Sequence, residues 1–463
     1  MRSLLLRTRC LSGLIAMSAP ALAQDTAPAA AEQPADGAAS EQSGLEDIVV
    51  TAQRRSENLQ RAAVAVTALT GDDLVRANIT SPTGLTNLVP ALTVNNAAGP
   101  YALYYVRGVG NFNANPLSDS AVAVNLDGVF LARPSGTAGQ FYDVERVEVL
   151  KGPQGTLYGR NATGGAVNII TKKPQLGKIG GEVSASYGNY EAVQANAAIN
   201  LPLGEAAAVR IAGQYARHDG YMTDGSSDQN DRSGRIQFLW EPKDNIKIQL
   251  GADYYQQRGR GIGATVLTDA VADKQVGLGD PRTAPAYLAV YNFVAGNIYK
   301  PVASDIYLNN NFGGGYGSIE ISSDFATATT IVAYREAELD YRSNSPGFLI
   351  NQREKDHQFS VEARLAGNGT GFLQWLVGAY YFSEGIDVPQ VSFNQQVAGS
   401  YQSYSANTKS MALFGRLTGK ISDTFRITVG GRYTTEDKDF GGSLYSMNIL
   451  CSGTALAPPG SPV

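Results

Sequence analysis

The chain has 463 residues, of which 43% are apolar, 17% charged and 9% aromatic, with 51 Gly, 24 Tyr and a formal net charge of −5. The charged share lies below the ~25% of ordinary soluble domains and Gly, at about 11%, lies above the usual ~7%, a balance that fits β-structure with tight turns. No apolar run approaches ~18 residues, which excludes ordinary membrane-spanning helices but leaves spanning strands open. Cys10 and Cys451 are the only thiols, so no disulfide framework or Cys-based zinc site is expected, and the acidic balance gives no reason to expect nucleic acid.

Taken in chain order, residues 1–23 carry a basic start (Arg2, Arg7, Arg9), a short apolar stretch around Leu14 to Met17, and Ala21-Leu22-Ala23, the pattern of a cleavable export signal. Residues 24–45 are Ala, Pro, Glu, Gln and Ser, too polar to bury and expected to be a tether. Between Ala23 and Glu46 the chain is too short for a folded domain. Residues 46–53 then form a β-prone patch, Glu46 followed by Asp47, Ile48, Val49, Val50, Thr51, Ala52 and Gln53. Such a patch suits either strand addition to a partner's sheet or an edge strand of the domain that follows.

Residues 54–174 read as a small α+β domain. Leu69 to Leu74 predicts a turn into a short helix, and Ser81 to Val89 a second one closed by Pro90. Tyr104 to Val109, Val122 to Val129, Val144 to Leu150 and Ala166 to Thr171 predict strands, with Asp127-Gly128 as a hairpin turn. The Gly-rich stretch after Lys151 lacks Gly-x-x-x-x-Gly-Lys-[Ser/Thr], which argues against a phosphate loop.

Val106-Arg107-Gly108, Val124 to Val129 and the 30-residue string from Asp143 to Lys172 resemble the plug domain of TonB-dependent outer-membrane receptors. Within that string, Lys151-Gly152-Pro153-Gln154-Gly155 and Gly164-Gly165 turn the backbone where a side chain would clash. The resemblance extends to Asp47, Ile48, Val49, Val50, Thr51 and Ala52, which match the family's TonB box in type and position and favour strand addition. It implies an α+β plug followed by an antiparallel transmembrane β-barrel, with about 22 strands in the family.

Residues 175–463 suit the wall of that barrel. Val209, Ile211 and Tyr215 alternate with Arg210, Ala212 and Gln214; Ile248, Leu250 and Tyr254 with Gln249 and Asp253; Ile427, Val429 and Tyr433 with Arg426, Thr428 and Arg432. Apolar residues face lipid with Tyr towards an interface, while the polar face meets water. A soluble sandwich alternates likewise, and the export signal and plug decide against it. Leu201 to Glu205 and Glu241 to Asn245 read as tight periplasmic turns. Gln257 to Ser304 and Asp387 to Tyr404 read as long exterior links. Roughly eleven strands are counted, about half a wall. A plug of about 120 residues is roughly 35 Å across, whereas about twelve strands close a circle near 24 Å and about twenty-two one near 44 Å. The chain is therefore expected to cover the plug and part of a larger barrel.

The resemblance implies TonB-dependent import across the Gram-negative outer membrane of a scarce ligand, foremost an iron siderophore, with saccharide, haem or cobalamin as alternatives. A passive porin or adhesin would leave the TonB box unused. The implied partners are TonB of the inner-membrane TonB–ExbB–ExbD complex and outer-membrane lipid, and the full-length receptor is expected to be a monomer that transports without transcriptional signalling. Ligand contacts are expected at plug apices, from Asn111, Phe112, Asn113 and Asn115 in one loop and Phe130, Arg133, Ser135, Gln140, Phe141 and Tyr142 in another. Arg107, Glu145, Arg146, Glu148, Lys151 and Arg160 are expected to hold the plug to the barrel. No catalysis, resident cofactor or metal is expected. His218 and His357 lie on separate strands without metal-ligand spacing, and Glu145 and Glu148 point to opposite faces of a strand.

Overall fold

The computed structural model describes residues 49–262 and 305–448, apart from 52, 56, 78, 97, 98, 114, 138, 140, 223, 224, 346, 347, 370, 395–397 and 423. Asp47, Ile48, Ala52 and Gln140, the export signal, the tether and most of the Gln257 to Ser304 link lie outside the described residues.

The plug begins with β1 (Val49–Val50), paired antiparallel with β2 (Glu57–Asn58), and continues through β3 (Val66–Thr70) into α1 (Gly71–Arg76). Thr70 starts that helix with a capping box: its side chain accepts from the Asp73 N–H at 3.2 Å and the Asp73 carboxylate accepts from the Thr70 N–H at 2.9 Å. The run from Pro82 to Asn87 is a 3₁₀ helix rather than an α-helix. β4 (Leu92–Asn96), β5 (Ala102–Val106) and β6 (Val109–Gly110) form a three-stranded sheet. The expected single strand over Tyr104 to Val109 is broken there, because Arg107 (φ 52°) and Gly108 (φ 79°) both adopt the left-handed region a tight hairpin needs.

The central sheet adds β7 (Val122–Leu126), β8 (Val129–Leu131), β9 (Val144–Lys151), the single-turn α2 (Gly155–Tyr158) and β10 (Gly165–Thr171), in the order β3-β9-β10-β7-β8. Asp127 (φ 50°) and Gly128 (φ 86°) make the expected turn. At the paired glycines, a Cβ on Gly165 would stand 2.3 Å from the Leu150 carbonyl oxygen, so the motif's second glycine keeps β10 against β9. One face of this sheet closes on Leu85, Val89, Leu92 and Val106. The other carries Leu150, Ala166 and Tyr158, together with Val50 from β1.

Eleven consecutive antiparallel strands follow: β11 (Gly180–Gly188), β12 (Ala192–Pro202), β13 (Ala207–His218), β14 (Gln229–Lys243), β15 (Ile246–Gly259), β16 (Tyr307–Ser322), β17 (Ala326–Ser345), β18 (Phe348–Gly367), β19 (Leu373–Asn394), β20 (Ala398–Lys420) and β21 (Arg426–Asn448). Among the described residues β11 and β21 do not pair, so the sheet is open. At one end, turns of two to five residues join β12 to β13, β14 to β15, β16 to β17, β18 to β19 and β20 to β21. At the other end the strands run on. Asp387 to Tyr404, expected as a long link, instead extends β19 and β20, and Pro389 is accommodated at a register shift between Val388 and Val391. Ile386, Val388, Val391 and Tyr404 bury one another there, which holds the hairpin together.

The wall is turned inside out relative to a soluble core. Arg210, Arg235, Gln237, Gln358, Glu362 and Glu384 are buried on its inner face, whereas Ile211, Leu250, Val377, Leu413 and Val429 are exposed on its outer face. Phe325, Phe372 and Phe425 ring the short-turn end of that apolar surface, and Tyr254, Tyr334 and Tyr433 ring its upper edge. From Phe325 to Tyr334 the strand climbs about 23 Å along the normal at the usual rise and tilt, close to the ~25 Å apolar band of an outer-membrane barrel.

Candidate functional site

The described part of the N-terminal patch is folded into the plug. Val50 is fully buried, and Thr51 donates its N–H to Glu148 Oε1 at 2.8 Å. Glu148, also fully buried, accepts in addition from Arg146 Nε at 2.9 Å and Asn168 Nδ2 at 3.3 Å. Asn168 donates to the Tyr158 hydroxyl at 2.7 Å, and burial pushes that phenol up to about 12, so it stays neutral. Next along the chain, Arg54 lies 4.7 Å from the Tyr158 ring centroid and 3.2 Å from Glu362 of β18. Arg55 donates to the Gly367 carbonyl at 3.3 Å. The segment therefore sits at the short-turn end, beside a cavity of about 570 Å³ between plug and wall.

Plug and wall meet through paired polar groups. Arg133 donates Nε to Glu384 Oε1 at 2.6 Å and pairs a second time through Nη2, while its Nη1 donates to the Pro116 carbonyl at 2.7 Å. Asp119 gathers Lys438 of β21 at 2.5 Å, Arg160 at 3.1 Å and Arg133 at 3.8 Å. Burial alone would raise the Asp119 pKa, but these three cations outweigh it and leave the carboxyl below its ordinary value. Arg210 pairs with Asp143, and Gln358 bridges the Phe130 carbonyl at 2.7 Å and the Ala132 N–H at 3.0 Å.

Several expected roles change. Of the residues expected to hold the plug, Arg160 reaches the wall, 3.5 Å from Glu436. Arg146 and Glu148 instead pair within the plug, Arg146 also pairing with the exposed Glu145, because β9 lies inside the central sheet. Arg107 is exposed at its hairpin turn and Lys151 half-buried at the end of β9. Among the expected ligand contacts, Phe130 packs edge-on to Phe382 of β19 at 6.0 Å, and Phe141 joins the plug core. Tyr142 lies under Arg235 at 4.4 Å, and Ser135 is fully buried. These side chains pack the plug rather than face solvent, and Arg133 belongs with the plug–wall contacts. Asn111 and Asn115 shape their loop through Ser118 Oγ at 2.5 Å and the Leu117 N–H at 2.8 Å. That leaves Phe112, 79% exposed, and the exposed Asn113 facing outward.

A second cavity, of about 450 Å³, lies at the end of the wall remote from the short turns, where no site was expected from the sequence. Its plug side includes Asn96, Tyr101 and Gly139, and its wall side Gln214, His218, Tyr221, Asp231 and Tyr255. His218 stacks on Tyr221 at 4.6 Å and 18°. Gln214 and Tyr255 occupy inward positions in strands whose alternation was legible, which is the one signal that pointed to them. Their convergence with Tyr101 was not, because it depends on where the plug sits in the sheet.

Residues 58–166 match the family described as TonB-dependent Receptor Plug Domain. The chain is 25% identical over 393 residues to the pesticin receptor of Yersinia enterocolitica, covering 83% of this chain and 55% of the relative. It is 24% identical over 395 residues to that of Yersinia pestis, covering 84% and 55%. The chain thus spans about half the length of the curated relatives it matches. Among solved structures it is similar to the ferric yersiniabactin uptake receptor of Yersinia pestis, with a TM-score of 0.65 and 18% identity over 85% of this chain and 63% of that one. It is also similar to the ferripyoverdine receptor of Pseudomonas aeruginosa, with a TM-score of 0.67 and 14% identity over 86% and 55%. Residues 58–166 thus carry the TonB-dependent receptor plug, and the antiparallel wall that follows shares the fold of these receptors.

Proposed function

We propose that this chain serves TonB-dependent import of a scarce ligand, foremost a ferric siderophore, across the Gram-negative outer membrane. The observation that carries this reading is the polarity of the plug. The Val49–Arg55 segment lies at the short-turn end, where outer-membrane barrels face the periplasm, and the 450 Å³ cavity opens at the other. A ligand received at one end and a handle presented at the other are what energised import requires. Siderophore uptake by the ferric yersiniabactin and ferripyoverdine receptors supports the ligand class.

In this reading residues 1–23 direct export, 24–45 form the periplasmic tether and 46–53, with Asp47, Ile48 and Ala52, add as a strand to TonB. Residues 54–174 are the plug and 175–463 contribute to the wall. Import of this kind needs no chemistry on the ligand, so the site is read as non-enzymatic. The test is iron-limited growth of a receptor-deficient Gram-negative host expressing the protein and fed single ferric siderophores. Growth on at least one is expected, and Val49→Pro should abolish it by blocking strand addition. Growth that survives Val49→Pro would favour a passive pore.

A further inference from the structure

The cavity at the far end of the wall is poor in positive charge. Among its described lining residues the charged side chains are Asp228, Asp231 and Arg258. The Arg258 guanidinium is already committed, donating to the Gln257 carbonyl at 2.9 Å, the Asn310 carbonyl at 2.6 Å and Asn311 Oδ1 at 2.8 Å. Asp228 is fixed on the cavity rim by the backbone N–H groups of Arg260 at 2.7 Å and Gly261 at 3.0 Å. The cations near the other apical loop are spoken for as well: Arg133 is paired with Glu384, and Arg160 and Lys438 with Asp119. Recognition of a polyanion relies on guanidinium or ammonium groups that can turn to it, and none of these is arranged to do so.

Rings and amides take their place. The half-exposed Tyr221 and its stacked partner His218 offer π-faces, Tyr190 buttresses Tyr221 edge-on at 4.8 Å, and the buried Nε2 of Gln214 has no partner among the described residues. A stacked ring with an adjacent amide donor suits an aromatic chelating group bearing a carbonyl or hydroxyl oxygen. Resting on the import reading above, we propose that this cavity selects an uncharged, ring-bearing ferric chelate over a trianionic one of the same size.

The test uses the purified full chain in lipid vesicles and two hexadentate iron(III) complexes built on one tripodal scaffold. The tris(hydroxypyridinone) complex is uncharged and the tris(catecholamide) complex is trianionic. The uncharged complex is expected to bind about tenfold more tightly at low salt, the size of a net repulsion acting across several ångströms of water, and the gap should shrink as salt rises. Asp228→Asn should narrow the gap, while His218→Ala with Tyr221→Ala should weaken both complexes. Equal or tighter binding of the trianion, a gap indifferent to Asp228→Asn, or no binding of either complex overturns the inference. Growth fed by the tricatecholate alone would also overturn it and leave the import reading standing. A clear preference in vesicles with no iron-fed growth by any complex would count against the import reading only.

Discussion

Plug and wall are both β-structures, yet they solve burial in opposite directions. In the plug, Val147, Val149, Val167 and Ile169 are fully buried around a closed apolar core, and the one fully buried carboxylate, Glu148, is satisfied by Thr51, Arg146 and Asn168. In the wall, carboxylates and guanidinium groups point inward and Leu250 or Val429 points out. The same alternation of residue types therefore carries opposite meanings on the two sides of their interface. That interface is polar and paired.

The sharpest way to break this comparison is to remove Glu148, the carboxylate buried within the plug's own sheet. Glu148→Ala should destabilise the plug by about 3–5 kcal/mol by stranding Arg146 and Asn168, read as a lowered melting midpoint and faster proteolysis near Thr51. In the wall the severe change has the reverse polarity. Leu250→Arg should cost about 2–4 kcal/mol near the membrane midplane, read by heat-modifiability after vesicle insertion, whereas the inward Gln249→Leu should cost far less. If the two exchanged magnitudes, the inside-out assignment of β15 would be wrong.

Much of this contrast was legible in the sequence. Asp127-Gly128 demanded its turn, and period-two alternation revealed the strands and their faces without any knowledge of partners. What the alternation does not encode is which inward group meets which plug residue. Arg133, expected to touch ligand, is claimed by Glu384, 251 positions away, and Phe141 and Tyr142 look like recognition aromatics until the packing around them is known. Asp387 to Tyr404 was misread because Pro389 signals a break, and only the cross-strand partners reveal a bulge.

Smaller effects probe the seam itself. A double-mutant cycle of Arg133→Gln and Glu384→Gln should return a coupling of about 1–3 kcal/mol; additivity would mean the pair does not seat the plug. The slightest change expected is in acid. Because Asp119 is held below its ordinary value, its contribution is present above the usual carboxylate pKa and is lost as pH falls through the lowered one. Asp119→Asn should therefore lower the melting temperature by roughly a few degrees at pH 7 and lose that difference in acid. A difference that does not shrink at all as the pH is lowered would exclude the ionic origin.

The two-residue pairing of β1 with β2 also has a mechanical meaning. Val49 faces Asn58 and Val50 faces Glu57, so tension on residue 49 loads the pairs one after another, as in opening a zipper, and next reaches the Thr51 anchor on Glu148. Once that anchor and the contacts of Arg54 with Glu362 and of Arg55 with the Gly367 carbonyl have yielded, residues 50–66 pay out as slack that extends to about 55 Å before the five-residue ladder between β3 and β9 is strained. The plug thus has a weak first stage with a long stroke and a stiff second stage, so a pull applied at residue 49 would take up travel well before it strained the central sheet.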